Sequence, residues 1–147
     1  VAKPDATEEE MREVITIAQA ADFVLNGEDG LNMPIAQGGD NLSGGQRQRL
    51  SIARAIIKPR PIYIFDDSFS ALDFKTDSAL RSALRPRIAN STFIIITQRI
   101  STAKNADQII VLDNGRVVGK GSHHELMTNC NTYQEIANSQ LSAEELA

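Results

Sequence analysis

The sequence lacks the features that mark several protein classes. Cys130 is its only cysteine, which excludes a disulfide within the chain and a cysteine-based metal cluster. Its 15 basic residues are outnumbered by 19 acidic ones, which argues against a dedicated nucleic-acid-binding surface. No apolar run approaches the roughly 18–20 residues that a membrane-spanning helix requires, and no signal peptide is recognisable. Because the chain opens on Val1 without Met, we expect a globular piece of a longer protein from a reducing compartment.

Two helices are predicted in the first 60 residues. A capping box at Thr7 opens an amphipathic helix over residues 7–21. Residues 26–41 are rich in Gly, Asn and Asp, which predicts a loop. The second helix is predicted to begin near Ser43 and to end before Pro59.

Strand patterns follow in the rest of the chain. Ile62–Phe65 and Phe93–Ile96 are continuous apolar runs, which predict strands buried on both faces of a parallel sheet. Asp73 is predicted to cap the helix between them, with a kink or an early end at Pro86. Asp113-Asn114-Gly115 is a strong hairpin signal. The fold class is therefore α/β, with part of a parallel sheet flanked by helices, and so thin a sheet indicates that part of a domain is absent.

The predicted start of the second helix carries a hydroxyl and two glycines. Unpaired amides and the helix dipole make such an end an anion site. Gly44 and Gly45 would let the backbone approach a phosphate closely, and Ser43 adds a side-chain donor. For Ser-Gly-Gly alone, a glycine-containing helix cap is the simpler interpretation.

The longer string Leu42–Gln46 resembles the signature motif of ABC ATPases at all five positions. Arg47–Arg49 and Ala53–Ala55 are also similar to that family. The resemblance implies an incomplete P-loop NTPase domain of the ABC type with a helical subdomain. It also implies that the signature contacts the γ-phosphate of ATP held by the opposite subunit of a head-to-tail dimer. The residues assigned to this contact are Ser43, Gly44, Gly45 and Gln46.

A pair of carboxylates follows the first predicted strand, at the end where α/β folds place ligand chemistry. Asp66 lies 20 residues after Gln46, so the strand resembles a Walker B segment, which implies that Asp66 coordinates Mg²⁺. Asp67 stands where the family usually has a catalytic Glu. Its side chain is shorter by about 1.5 Å, and a misplacement on the order of 1 Å can cost about 100-fold in rate. We therefore expect weakened hydrolysis.

Two further segments complete the resemblance. Ser70–Asp73 is similar to the D-loop, which contacts the other subunit and makes Asp73 a candidate nucleotide-binding residue; a simple helix cap at Asp73 is compatible with this. Gln98 stands where the family has a His that contacts the γ-phosphate, and Gln cannot become a cation. Asp67 and Gln98 together resemble the degenerate half of heterodimeric exporters, in which one site hydrolyses ATP and the other mainly binds it.

The chain lacks a P-loop of the form G-x-x-x-x-G-K-[ST]. The nearest string, Gly115–Gly121, has one residue too few between its glycines and lies in a predicted hairpin, so we reject it. The neighbouring His123 and His124 would diverge by about 100° on a helix. We expect both to be surface residues of a first helical turn rather than metal ligands.

The resemblance divides the chain into three parts. Residues 1–60 match the helical subdomain with the signature and its helix, and residues 61–121 match the C-terminal part of the catalytic core. Residues 122–147 are predicted C-terminal helices, which a capping box at Ser122 opens. Ile35–Gly39 lies where exporters have a loop that touches the transmembrane domain. Without the N-terminal half and its P-loop, the isolated fragment is expected to be inactive.

The resemblance implies an ATP-binding, ATP-hydrolysing domain that powers transmembrane export through nucleotide-driven dimerisation. The implied cofactors are ATP and Mg²⁺ in the complete domain. The implied partners are a second ABC ATPase subunit and a transmembrane domain fused upstream, at the cytoplasmic face of the membrane, with no nucleic acid. Two alternatives stay open: a soluble ABC ATPase of DNA repair or translation, and a non-enzymatic dimerisation module. The transported substrate cannot be predicted from these residues.

Overall fold

The computed structural model describes the backbone of residues 2–144 and the side chains of residues 2–140. The helices are α1 (Glu8–Ile17), α2 (Ala21–Val24), α3 (Gly44–Ile56), α4 (Phe74–Arg87), α5 (Ile100–Ala103), α6 (His123–Asn129) and α7 (Asn131–Glu144). The strands are β1 (Ile62–Asp66), β2 (Thr92–Ile96), β3 (Ile109–Asp113) and β4 (Arg116–Gly121). Within residues 2–144, no helix combines the length and the apolar character that a membrane span requires.

The chain divides into two compact units, Val1–Ile94 and Ile95–Ala147. The predicted functional boundaries after residues 60 and 121 stay predictions. The end of the predicted C-terminal segment, residues 145–147, lies outside the described residues. The predicted loop over residues 26–41 is confirmed, and it contains two short 3₁₀ turns.

The first helix begins where the sequence predicts but ends earlier. The Thr7 hydroxyl accepts a hydrogen bond from the Glu10 amide at 3.2 Å, and the Glu10 carboxylate accepts one from the Thr7 amide at 3.0 Å. This confirms the capping box. The predicted extension to residue 21 is wrong, because Gln19 has a φ of 57°. That left-handed conformation ends a helix, and α2 follows as a separate turn.

Helices α3 and α4 bury their apolar faces in the first unit. Ser43 caps α3 and Asp73 caps α4, as predicted. Pro86 lies in the last turn of α4, and the helix ends one residue later, as expected for a residue that cannot continue the backbone ladder. The largest fully buried apolar side chains of the two helices are Ile52, Ile56, Leu80 and Leu84.

Strands β1 and β2 form a two-stranded sheet at the predicted positions. The prediction that both faces are buried is wrong. Tyr63 and Phe65 are buried, but Ile62 and Ile64 on the alternate face are 55% and 65% exposed. On the buried face, the rings of Phe65 and Phe93 meet edge to face at 4.8 Å. The long apolar runs therefore have one packed face and one exposed face among the described residues.

The second unit contains the predicted hairpin. Strands β3 and β4 pair antiparallel, and both residues of the turn have positive φ, 48° at Asn114 and 74° at Gly115. This is the type I′ geometry that Asn-Gly favours. The Gly115–Gly121 string therefore lies in a hairpin, which confirms its rejection as a P-loop. Ile109, Val111, Leu126, Cys130 and Tyr133 form the core of this unit.

The start of α6 differs from the prediction at one residue. The capping box of Ser122 with Glu125 is confirmed. His123 is half-buried rather than on the surface, since its Nδ1 lies 2.8 Å from the hydroxyl of Tyr133. Burial raises the pKa of that Tyr133 phenol. The prediction failed because the partner of His123 lies on α7, beyond the reach of a local pattern.

Candidate nucleotide-contact site

The N-terminus of α3 has a closed cap. The Ser43 hydroxyl accepts from the Gln46 amide at 3.2 Å, and the Gln46 side-chain oxygen accepts from the Ser43 amide at 2.9 Å. A serine hydroxyl also has one hydrogen to donate. Ser43 and Gly44 are exposed, Gly45 and Gln46 are half-buried, and the Gln46 amide already donates to Ser43, so the accessible part of this helix end is at Ser43 and Gly44. The arrangement can bind an anion.

The two glycines of this segment have different surroundings. A Cβ atom on Gly44 would lie 3.7 Å from the Cβ of Ala71, an ordinary contact. A Cβ atom on Gly45 would lie 3.0 Å from the Ala71 carbonyl oxygen, which is too close without a backbone shift. Gly45 therefore suits the close packing of α3 against the segment Ser70–Asp73. The sequence suggested a role for Gly45 in phosphate approach but gave no sign of this second one.

The two predicted carboxylates lie at the end of β1 and just after it. Asp66 is the last residue of β1, and both Asp66 and Asp67 are exposed. Asp67 has a φ of 46°, in the left-handed region that Asp tolerates better than most residues. Its carbonyl oxygen accepts a hydrogen bond from the Ser70 hydroxyl at 2.9 Å. The chain therefore turns sharply at Asp67, directly after the strand.

A side chain to which the sequence analysis assigned no role, that of Gln48, joins this turn to α3. The Gln48 side-chain nitrogen donates to the Asp67 carbonyl oxygen at 3.2 Å and to the Ser70 hydroxyl at 3.1 Å. The Gln48 side-chain oxygen accepts from the Ala71 amide at 2.9 Å. We call these three hydrogen bonds the Gln48 bridge. Its partners lie 19 to 23 residues away along the chain, so no local sequence signal could have identified it.

Asp73 acts as a helix cap. One of its carboxylate oxygens accepts from the Thr76 amide at 2.9 Å, and the other accepts from the Thr76 hydroxyl at 2.7 Å. The hydrogen bond from the Thr76 amide is the main reason that the pKa of Asp73 lies below its ordinary value. The capping interpretation is thereby confirmed, and a nucleotide contact by Asp73 stays a prediction.

In the second unit, the segment after β2 is held by the C-terminal helix. The Gln98 side chain is exposed. The backbone carbonyl oxygen of Gln98 accepts a hydrogen bond from the side-chain nitrogen of Gln140 on α7. The side-chain oxygen of Gln140 accepts from the Ile100 amide at 2.8 Å. We call this pair of hydrogen bonds the Gln140 bridge. It spans 40 residues of sequence and was likewise not predicted.

The structure thus brings most of the predicted site residues together in the first unit. The cap of α3, the turn after Asp66 and the Ser70–Asp73 segment are linked by the Gln48 bridge and by the Gly45–Ala71 contact. Gln98 belongs to the second unit. Each unit fixes the backbone of its own segment, and the predicted site residues Ser43, Asp66, Asp67 and Gln98 are exposed.

Comparison with known proteins identifies the family. The family model for "ABC transporter" matches residues 4–70. An ABC transporter ATP-binding protein of Mycobacterium tuberculosis is 54% identical over 134 residues, covering 91% of this chain and 23% of the relative. An ATP-dependent lipid A-core flippase of Francisella tularensis is 43% identical over 137 residues, covering 93% of this chain and 22% of the relative.

A solved structure agrees with these relatives. The structure of a bacterial Atm1-family ABC exporter with ATP bound superposes with a TM-score of 0.88 at 34% sequence identity, covering 95% of this chain and 24% of that one. The chain therefore spans about a quarter of the length of the proteins that it matches. The sequence motifs, the α/β fold and these similarities agree, and the chain belongs to the ABC transporter ATPase family.

Proposed function

We propose that this chain forms part of the ATPase domain of an ABC exporter and that its signature segment completes an ATP site on a second ATPase subunit. The observation that carries the proposal is the N-terminus of α3. There Ser43 and Gly44 are exposed at the first turn, and the next residue, Gly45, lies close to Ala71. Such a helix end binds a phosphate group favourably through its amides and its dipole.

The assignment to export is supported by the similar proteins, which include a flippase and an exporter by name. We propose accordingly that the full polypeptide carries a transmembrane domain and works at the cytoplasmic face of a membrane. Its ATPase domains would form a head-to-tail dimer on binding ATP. A soluble ATPase of DNA repair or translation, or a non-enzymatic dimerisation module, has less support because the named relatives are transporters.

The chain's own residues suit a site that binds ATP more readily than it hydrolyses it. Asp66 presents a single exposed carboxylate, which suits Mg²⁺, an ion that takes one or two carboxylates together with phosphate oxygens. When bound, Mg²⁺ would neutralise charge on the phosphates. Asp67 is a short base at the position of the family's Glu, and Gln98 can donate a hydrogen bond but carries no charge. These two departures support a degenerate site within a heterodimer.

The signature is tested by a substitution that preserves the helix cap. Ser43→Asp keeps a side chain that caps a helix as well as Ser does, but it places a negative charge where we propose the γ-phosphate binds. In the full-length transporter with its partner, we expect ATP turnover to fall by about 100-fold or more. Ser43→Asn is the matched control, because Asn caps a helix as well as Asp does and adds no charge. Equal turnover in the two variants would contradict the proposal.

The degenerate site is tested by restoring the family's residues. The double variant Asp67→Glu and Gln98→His in the full-length transporter should raise ATP turnover on the order of tenfold or more, since a base misplaced by about 1 Å can cost about 100-fold. Asp67→Asn is the matched control, because Asn tolerates the left-handed φ of this position and cannot act as a base. If turnover is the same in the parent and the double variant, these two positions do not silence the site.

A further inference from the structure

We infer that Gln48 is a positioning residue, which holds the turn after the β1 carboxylates in a fixed place against the signature helix. This inference rests on the proposed function. It assigns a role to a side chain that stands outside the motif residues Ser43 to Gln46 and touches neither phosphate nor metal in that proposal.

The Gln48 bridge uses both ends of the side-chain amide. The nitrogen has two hydrogens, and it has two acceptors, the Asp67 carbonyl oxygen and the Ser70 hydroxyl. The oxygen accepts from the Ala71 amide. An amide turned the other way round would set its oxygen against the Asp67 carbonyl and its nitrogen against the Ala71 N–H. The orientation of the side chain is therefore fixed by its partners.

The turn that Gln48 holds needs such support. Asp67 is in the left-handed region, and Asp67, Ser70 and Ala71 are all exposed, while the buried side chains of Phe69 and Leu72 anchor the rest of the segment. Within the turn, the Asp67 carbonyl accepts hydrogen bonds from the Ser70 hydroxyl and from the Ser70 amide. Gln48 adds bonds at both ends of the turn, and it comes from a rigid helix.

The same helix begins with the signature segment. Gln48 lies within one helical turn of Gly45, whose backbone packs against Ala71. The N-terminus of α3 and the turn after Asp66 are therefore joined at two points, the Gly45–Ala71 contact and the Gln48 bridge. In the proposed function, these two segments serve different nucleotides, the partner's and the chain's own. Gln48 would make the two segments move as one body. Closure of the signature segment on the partner's nucleotide would then position Asp66 and Asp67 at the chain's own nucleotide.

Hydrogen exchange on the 147-residue chain tests the bridge itself. Gln48→Met removes all three bonds, so we expect exchange of the Ala71 amide to accelerate about tenfold, the effect of one lost hydrogen bond. Gln48→Glu keeps an oxygen for that amide but sets a second carboxylate oxygen against the Asp67 carbonyl, so it should also accelerate Ala71 exchange. Arg54→Met is the matched control, because Arg54 is an exposed residue of the same helix. Unchanged Ala71 exchange in Gln48→Met, or equally fast exchange in Arg54→Met, would overturn the inference.

Steady-state kinetics of the full-length transporter test the positioning role. We expect Gln48→Met to lower kcat on the order of tenfold, with the KM for ATP changed by less than about twofold, because the residue orders the closed site and does not grip the nucleotide. Arg54→Met should retain the parent kcat. A fast-exchanging Gln48→Met variant with the parent kcat would refute positioning and leave the proposed function standing. A parent that does not hydrolyse ATP would instead refute the proposed function and the kinetic half of this inference, while the exchange result would still decide whether the bridge exists.

Discussion

The contact between Gly45 and Ala71 makes opposite predictions for two adjacent glycines. Replacing Gly by Ala in a helix stabilises it by about 0.5–1 kcal/mol when there is room for the methyl group. The new methyl at Gly44 would meet the Ala71 Cβ at 3.7 Å, which leaves room. At Gly45 it would meet the Ala71 carbonyl oxygen at 3.0 Å, and forced contacts of this kind cost about 1–3 kcal/mol. We therefore expect Gly45→Ala to be less stable than Gly44→Ala by about 1–3 kcal/mol.

Urea unfolding of the two single variants checks this difference. With a slope of about 2 kcal/mol per molar urea, the midpoint of Gly45→Ala should lie roughly 0.5–1.5 M below that of Gly44→Ala. The pair is its own control, because the substitution, the helix and the first-turn location are the same. A midpoint for Gly45→Ala that equals or exceeds that of Gly44→Ala would show that the Ala71 backbone moves away without cost. The rigid link between α3 and the Ser70–Asp73 segment would then be refuted.

Three further predictions concern other parts of the chain. Gln140→Met should accelerate exchange of the Ile100 amide about tenfold, since it loses the acceptor of that amide; unchanged exchange would contradict the Gln140 bridge. Gly119→Ala should lower Tm and destabilise the second unit by about 1–3 kcal/mol, because a methyl there would lie 2.7 Å from the Cys130 sulfur; an unchanged Tm would contradict the packing. Acid should also destabilise the fold, because three capping carboxyls have pKa values below the ordinary value. Their contribution to the free energy of unfolding is present when the pH is above their pKa values in the unfolded chain. It is lost as the pH falls through their lower pKa values in the folded chain, that is, below about pH 4. Unfolding midpoints measured against pH should show this loss of stability. The loss should be smaller in Glu125→Gln, which retains a capping side chain without the charge. Identical pH profiles for the parent and the variant would contradict the prediction. The three carboxyls are those of Glu10, Asp73 and Glu125. The pKa of Glu10 is lowered mainly by a hydrogen bond from Lys3, that of Asp73 mainly by the Thr76 amide, and that of Glu125 mainly by the Ser122 amide.

The features that the sequence predicted correctly depend on residues a few positions apart. The caps at Thr7, Ser43, Asp73 and Ser122 each join a side chain to an amide three residues later, so their pattern is visible in a short window. The turn at Asn114 and Gly115 is equally local, because both residues tolerate positive φ. The capped start of α3, where we propose that phosphate binds, could be predicted for the same reason.

The features that the sequence did not predict depend on partners that are distant along the chain or on packing that a local pattern does not reveal. The end of α1 at Ile17 follows from the left-handed Gln19, a residue that carries no breaker signal of its own. The exposure of Ile62 and Ile64 depends on what covers the second face of the sheet, which an apolar run cannot reveal. The bridges of Gln48 and Gln140 need the tertiary fold, since a glutamine in a helix has no local mark of what its amide contacts.

Both bridges bind backbone atoms of Asp67 and Gln98, the two residues that we propose make the site degenerate. Gln48 binds the carbonyl oxygen of Asp67, and Gln140 binds the carbonyl oxygen of Gln98. Because every residue has that oxygen, the bridges hold the chain equally well whichever side chain stands at either position. The residues at 67 and 98 can therefore change, and with them the proposed chemistry, while the backbone that presents them stays in place.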